Sequence, residues 1–236
     1  MLTLPEKDAL PPPVAEAVAP LDGPGDVAFD ADGTLWRGDV GEELLRALAH
    51  QRLLPNRQGS GLYEEYERRV AADPGDAYAW AVEVMEGLAE SALAAECARL
   101  FDQRFAGKLF RWVRPLITAL HAAGHRCWVV SASPVWAVRP GAAALGIPLD
   151  RVIGVTSDVE NGLLTRRVHR PIPCGEGKVF RLKEKGCRPV LGVGNGDLDL
   201  PMLAYSQRAL VVAPHQSPDN ALVAAARQHR WPIVRG

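Results

Sequence analysis

VAFDADGTLW, residues 27–36, decides how the rest of the chain is read. Val27, Ala28 and Phe29 form a short apolar run of the kind that makes a strand buried on both faces. Asp30 stands where that strand leaves the sheet, and ADGT then turns the chain. A second carboxylate, Asp32, follows two residues on, with Gly33 and Thr34 behind it.

Working outward, the pattern splits. Residues 41–107 read as helical, with no convincing strand. Residues 42–54 carry Leu44, Leu45, Leu48 and Leu53 on one helical stripe, and residues 62–72 are charged and amphipathic. Asp73-Pro74-Gly75 punctuates them, and residues 77–89 and 92–105 are two further candidate helices. From Pro115 onward strands and helices alternate. Strands are predicted at 127–131, 152–155, 190–193 and 209–212, with helices at 116–123, 135–145, 178–185, 198–205 and 220–229. Asn161-Gly162 signals a small hairpin.

Upstream, residues 1–25 hold Pro5, Pro11, Pro12, Pro13, Pro20 and Pro24, a density that predicts an extended leader without helix. The pattern therefore implies an α/β fold, a Rossmann-like, doubly wound parallel sheet with an inserted helical cap subdomain. Residues 26–40 and 108–236 would form the core and 41–107 the cap. Ligands of such sheets bind beyond the carboxyl ends of the strands. The residues following each strand, Asp30 to Thr34, Ser131, and Gly194 to Asp199, should thus converge on one site.

Composition narrows the classes. With 27 basic against 28 acidic residues the net charge is −1, without the basic excess of a nucleic-acid binder. No apolar run approaches the roughly 20 residues of a membrane helix, and charges and prolines stand where an export signal would be apolar. The four cysteines, Cys97, Cys127, Cys174 and Cys187, have no metal-type spacing and suit free, mostly buried thiols of a cytoplasmic protein. Neither nucleic acid nor membrane is an expected partner. Oligomeric state is not legible.

Paired carboxylates after a strand suit phosphoryl transfer. One can attack phosphorus to form an aspartyl-phosphate, while the other serves as general acid and then base. Two carboxylates held close repel, which argues for a cation between them, and hard oxygen ligands with a phosphate favour Mg²⁺. Taken alone, Asp30 and Asp32 are equally compatible with an Asx-type turn.

The remaining motifs shift that balance. FDADGTLW resembles the first motif of the haloacid dehalogenase-like hydrolases, SAS at Ser131–Ser133 the second, Lys178 in GEGKVFRL the third, and GNGDLDLPML from Gly194 the fourth. Their order agrees over residues 27–212, and the helical insert is similar to the C1-type cap of the phosphoserine-phosphatase-like branch.

The resemblance implies Asp30 as nucleophile and Mg²⁺ ligand, and Asp32 as acid/base lending its backbone carbonyl to the metal. It implies Thr34, Ser131 and the backbone of Ala132 as holders of phosphate oxygens, and Lys178 as the ammonium against phosphate and nucleophile. In the fourth motif Asn195 stands where the branch usually carries Asp. Either Asn195 or Asp197 would be the ligand there, with Asp199 on the metal side or orienting Lys178.

For the leaving group, Trp36, Arg37, Asp39, Glu42 and Glu43 are the expected inward residues. Asp39 or Glu42 would meet a substrate ammonium, although Glu42 and Glu43 also suit a helix N-terminus. Tyr63, Tyr66, Tyr78 and Trp80 are either helix packing or a cage for a cationic head. Arg68 and Arg69 would bind a substrate carboxylate or lie solvated, and His169 is expected on the surface. A phosphotransferase or mutase, or a catalytically impaired phosphate-binding protein, are the competing readings.

Overall fold

The computed structural model describes residues 10–51, 53–54, 61–213 and 221–235. Its centre is β1 (Asp26–Phe29), buried at every position because β2 (Arg126–Pro134) and β6 (Pro189–Gly194) pair with it on either side. β3 (Val152–Val155), β7 (Ala209–Ala213) and β8 (Ile233–Arg235) complete a six-stranded sheet in the order β3-β2-β1-β6-β7-β8, parallel throughout. Counting only strands of this sheet, the order runs 3-2-1-4-5-6, that of a Rossmann fold. The order reverses between β1 and β6, which places a crevice at their carboxyl ends.

Strand periodicity sorts the side chains into two faces. Val27, Phe29, Cys127, Val129, Leu210 and Val212 face one core, shared with α1 (Pro12–Val18), α6 (Val113–Ala122) and α7 (Val135–Ala144). Ala28, Trp128, Val130 and Val211 face the other, covered by α8 (Glu176–Glu184), α9 (Leu200–Tyr205) and α10 (Ala221–His229). Between β1 and β2 lie α2 (Val40–His50), α3 (Leu62–Ala72), α4 (Pro74–Glu83) and α5 (Glu90–Arg104). The expected hairpin is β4 (Ser157–Glu160) with β5 (Leu163–Val168), turning at Asn161 and Gly162, both at positive φ.

Three expectations are corrected. The proline-rich stretch does hold a helix: Pro11 is the N-cap of α1, and Pro12 and Pro13 occupy its first turn, where the missing N–H groups have no helical partner anyway. Val14, Ala17 and Val18 bury against the sheet, while residues 1–9, Pro5 among them, lie outside the described residues, as does Asn220. The helix read through Ala89 ends at Glu83. The next segment is tied to the hairpin instead, with Gly87 N donating to Leu164 O and Glu90 N to Gly162 O at 2.8 and 2.9 Å. Leu53 lies beyond α2 and is 42% exposed. The short strand β8, next to Pro232, gave no sequence signal.

All four cysteines are unpaired, with Cys97, Cys127 and Cys187 buried. Among the described residues no helix is long and apolar enough to cross a membrane.

Candidate active site

The site is assembled from strand ends. Asp30 leaves β1 while its N–H still donates to Val193 O of β6 at 2.8 Å, so its side chain projects into the crevice between them. The turn closes through Leu35 N donating to Ala31 O at 2.8 Å, with Gly33 at φ +76°. A Cβ on Gly33 would collide with the Asn195 amide, so glycine is required for conformation and for space.

Lys178 rises from the first turn of α8 and is 2% exposed. Its ammonium donates to Asp30 Oδ1 at 2.7 Å, Asp199 Oδ1 at 2.6 Å and Val130 O at 2.8 Å. All three of its N–H bonds are thereby used. Burial opposes its charge, but Asp199 and Asp30 outweigh burial and hold the ammonium protonated well above its usual range. Burial, reinforced by the Asp199 charge, pushes the Asp30 carboxyl up to about 6 despite Lys178 and Thr34.

Asp32 is gripped by three donors. Trp36 Nε1 and Val40 N reach Oδ1 at 2.8 Å each, and Ser133 Oγ reaches Oδ2 at 2.7 Å. Burial first, and the Asp39 charge second, nevertheless raise its carboxyl well above the ordinary carboxylate range. A carboxyl raised in this way is suited to general acid chemistry.

Asn195 follows β6 and points back at β1. Its inward amide atom lies 3.0 Å from Asp30 Oδ2, Thr34 Oγ1 and the Asp32 carbonyl oxygen. With nitrogen inward, the amide donates to those oxygens. With oxygen inward, Asn195 Oδ1, Asp30 Oδ2 and Asp32 O converge, an arrangement that a cation would satisfy. That is a hard-oxygen set of one carboxylate and two neutral carbonyls. Among the described residues no three His, Cys, Asp or Glu side chains gather as a metal cluster.

A cavity of ≈130 Å³ opens onto Asp30, Asp32, Ser131, Ala132, Lys178 and Asn195. Its outer wall includes Asp39, Tyr78 and Leu198. Asp39 caps α2 by accepting from Glu42 N at 2.8 Å, and burial raises its carboxyl to about 6.

Several expected residues lie elsewhere. Thr34 is fully buried beneath the cavity, its hydroxyl 2.9 Å from Asp30 Oδ2 and 3.0 Å from Asn195 Oδ1, so it steadies those residues and does not face a phosphate. Asp199 is not among the converging oxygens. Oδ1 takes Lys178, and Oδ2 accepts from Asn195 N and Gly196 N at 2.9 Å each. Asp197 is exposed and accepts from Leu222 N of α10 at 3.0 Å, so of the two fourth-motif alternatives only Asn195 points inward. Trp36 is buried against Phe101 and serves Asp32, away from the cavity.

Glu42 is engaged by Tyr63 OH at 2.8 Å and Arg46 at 3.3 Å, and Glu43 by Arg46 and Arg104. Arg37 covers Phe110, Arg46 covers Tyr63 and Arg69 covers Trp80, so the chain's own arginines occupy those rings. Tyr66 is buried beside Tyr63, which leaves Tyr78 as the aromatic of that group on the cavity wall. Arg68 pairs with Glu65, and exposed His169 with Asp158 at 2.6 Å.

Ser133 was not singled out from the sequence as a site residue. The signal was present, because Ser131 and Ser133 are two apart on a strand and therefore share a side. Gly41 fits against it so closely that a Cβ there would stand 2.6 Å from Ser133 Oγ.

Comparison with known proteins bears on the family and the fold. The sequence model of the haloacid dehalogenase-like hydrolases matches residues 27–204. Phosphoserine phosphatase SerB1 of Mycobacterium tuberculosis is 27% identical over 245 aligned positions, covering 95% of this chain and 76% of that protein. A protein of unknown function from Bordetella pertussis superposes with TM-score 0.75 at 20% identity, over 90% of this chain and 99% of that one. A phospho-aspartyl intermediate analogue of phosphoserine phosphatase superposes with TM-score 0.55 at 18% identity, over 81% and 87%.

Proposed function

The chain belongs to the haloacid dehalogenase-like hydrolases and is one of their phosphatases; from that premise we propose that it hydrolyses a small phosphomonoester through an aspartyl-phosphate on Asp30. The observation that carries this is the Asp30 carboxylate, fixed by Lys178 and Thr34 at the mouth of the crevice, with Asp32, whose carboxyl burial raises, two residues away.

An Asp30 oxygen attacks phosphorus, and the bond to the leaving oxygen breaks. Asp32 gives its proton to that oxygen, so an alcohol departs. Asp32, now a carboxylate, takes a proton from water as the water attacks the aspartyl-phosphate, restoring Asp30 and releasing phosphate. Trp36, Val40 and Ser133 hold Asp32 for both transfers. Lys178 stabilises charge on the phosphoryl oxygens, and the Ser131 hydroxyl and Ala132 backbone face them across the cavity.

The converging oxygens of Asp30, Asp32 and Asn195 fit Mg²⁺, which when bound shields the anionic nucleophile from the anionic substrate. Asp199 takes part through Lys178 and the Asn195 loop. The helical block within 41–107 acts as a cap over the cavity and presents Tyr78 of α4 to the leaving group, beside Asp39 at the N-cap of α2. A cytoplasmic setting accords with the free thiols.

The test is phosphate release from phosphoserine, phosphoethanolamine, phosphocholine, sugar phosphates and nucleotides, with and without Mg²⁺, for wild type and Asp30→Asn. Turnover that needs Mg²⁺ and falls by about 10³-fold or more in Asp30→Asn is expected. Mg²⁺-dependent turnover that survives Asp30→Asn would overturn the covalent route.

A further inference from the structure

A second cavity, of ≈370 Å³, lies at the outer edge of β3 and is larger than the catalytic one. That size falls within the range of pockets for small organic ligands, about 300–1,000 Å³. Two helices converge on it. Val135 and Arg139 are four apart on α7, and Arg181 and Lys185 are four apart at and just beyond the end of α8, so each pair shares a helix face. Val135, Val152 and Ile153 are the cavity's apolar lining residues, at the edge of the sheet. Around it stand three cationic side chains, Arg139, Arg181 and Lys185, against one carboxylate, Glu184.

Their partners do not exhaust them. Arg139 Nε is a buried donor with no acceptor among the described residues, a costly state for a charged group unless a ligand completes it. Lys185 forms no ion pair with a described residue and is exposed at the rim. Arg181 is already oriented by Pro171 O at 3.0 Å and Glu184 at 2.8 Å. Of the other polar groups in the lining, His169 is taken by Asp158, and Thr156 is neutral. The site is separate from the catalytic cavity. The backbone of Ser133 and Val135 lies between, pressed so closely on β3 that a Cβ at Gly154 would be 2.9 Å from Ser133 O.

We propose that this cleft binds a small organic dianion, a phosphate monoester or a dicarboxylate, with its apolar body on Val135, Val152 and Ile153 and its charged end between Arg139 and Arg181. The dianion balances the net excess of two cationic side chains and gives Arg139 Nε its acceptor.

Calorimetric titration of the Mg²⁺-loaded chain with phenylphosphonate and with glutarate distinguishes the two sources of charge, and benzyl alcohol serves as the uncharged control. Saturable binding of at least one dianion is expected, with none for benzyl alcohol. Arg139→Gln should weaken it about tenfold or more and Lys185→Gln about threefold. Lys185→Glu, at an exposed position, gives a larger loss than Lys185→Gln and tests the site even if Arg139→Gln fails to fold. Absence of binding by both dianions, or binding that neither the Arg139 nor the Lys185 substitutions alter, overturns the proposal; the latter would place the anion in the catalytic cavity.

Discussion

The crevice at the ends of β1, β2 and β6 and the helical block α2–α5 both depend on charged side chains, but they use them in opposite ways. In the crevice Lys178 is 2% exposed, and every one of its N–H bonds meets a fixed oxygen from a different part of the chain. In the helical block most ion pairs are local and solvated: Arg68 and Arg69 with Glu65, Arg99 with Glu96, and Arg46 with Glu42 and Glu43 are each three or four residues apart on one helix. Arg104–Glu43 and Arg69–Asp76 link helices at the surface. Solvated pairs of that kind contribute at most about 1 kcal/mol each, whereas removing one partner of a buried pair costs about 3–5 kcal/mol. The first region holds a geometry against electrostatic cost. The second holds a helix and leaves its exposed surface free to change.

Lys178→Met tests the contrast most severely. It leaves Asp30 and Asp199 facing each other without a cation, so both stability and rate should fall, the rate by about 10³-fold. Thermal unfolding and single-turnover kinetics read the two losses, and a variant of wild-type stability would show the crevice to be as tolerant as the helices. Ser133→Ala is milder, removing one of three donors to Asp32. A fall in kcat of about 10- to 100-fold with little change in unfolding temperature is expected; an equal rise in KM with kcat intact would assign Ser133 to substrate binding.

The pH dependence of the metal-free chain comes next. Asp30 and Asp39 are both raised to about 6 from 3.8, so between those values the folded state binds more protons than the unfolded one. Stability must then fall as pH rises through the window, by about 1 kcal/mol per group between pH 5 and 7. That is roughly 5 °C in unfolding temperature for the pair, and Mg²⁺ should narrow the gap. A metal-free chain more stable at pH 7 than at pH 5 would contradict it. The smallest effect belongs to the helical block: Arg99→Ala, on an exposed pair, should leave the urea-unfolding midpoint nearly unmoved and turnover unchanged.

Much of this was legible beforehand because the signals are local. The run Val27–Phe29, the turn at Gly33 and the stripe Leu44, Leu45, Leu48 each lie within a few residues, and period and turn chemistry identify them. Where the reading failed, a longer-range contact or an exception to a local rule intervened. Three consecutive prolines forbid a helix interior but not a first turn, and the burial of Val14 and Val18 on the sheet made α1. The stretch after Glu83 has helical composition, yet the N–H groups of Gly87 and Glu90 are claimed by the hairpin.

By itself the sequence determined the family, since four motifs in the order of the haloacid dehalogenase-like hydrolases suffice to name it. It also determined the α/β architecture that brings strand ends together. Only the tertiary structure decided which oxygen each donor meets: that Thr34 lies beneath Asp30, that Asp199 serves Lys178, that Trp36 and Ser133 grip Asp32, and that Asn195 points inward while Asp197 caps α10. The reason is distance along the chain. Lys178 and Asp30 are 148 residues apart, and Ser133 and Asp32 are 101 apart. A side chain's partner is set by which strand ends the sheet places side by side, and local periodicity carries no record of that.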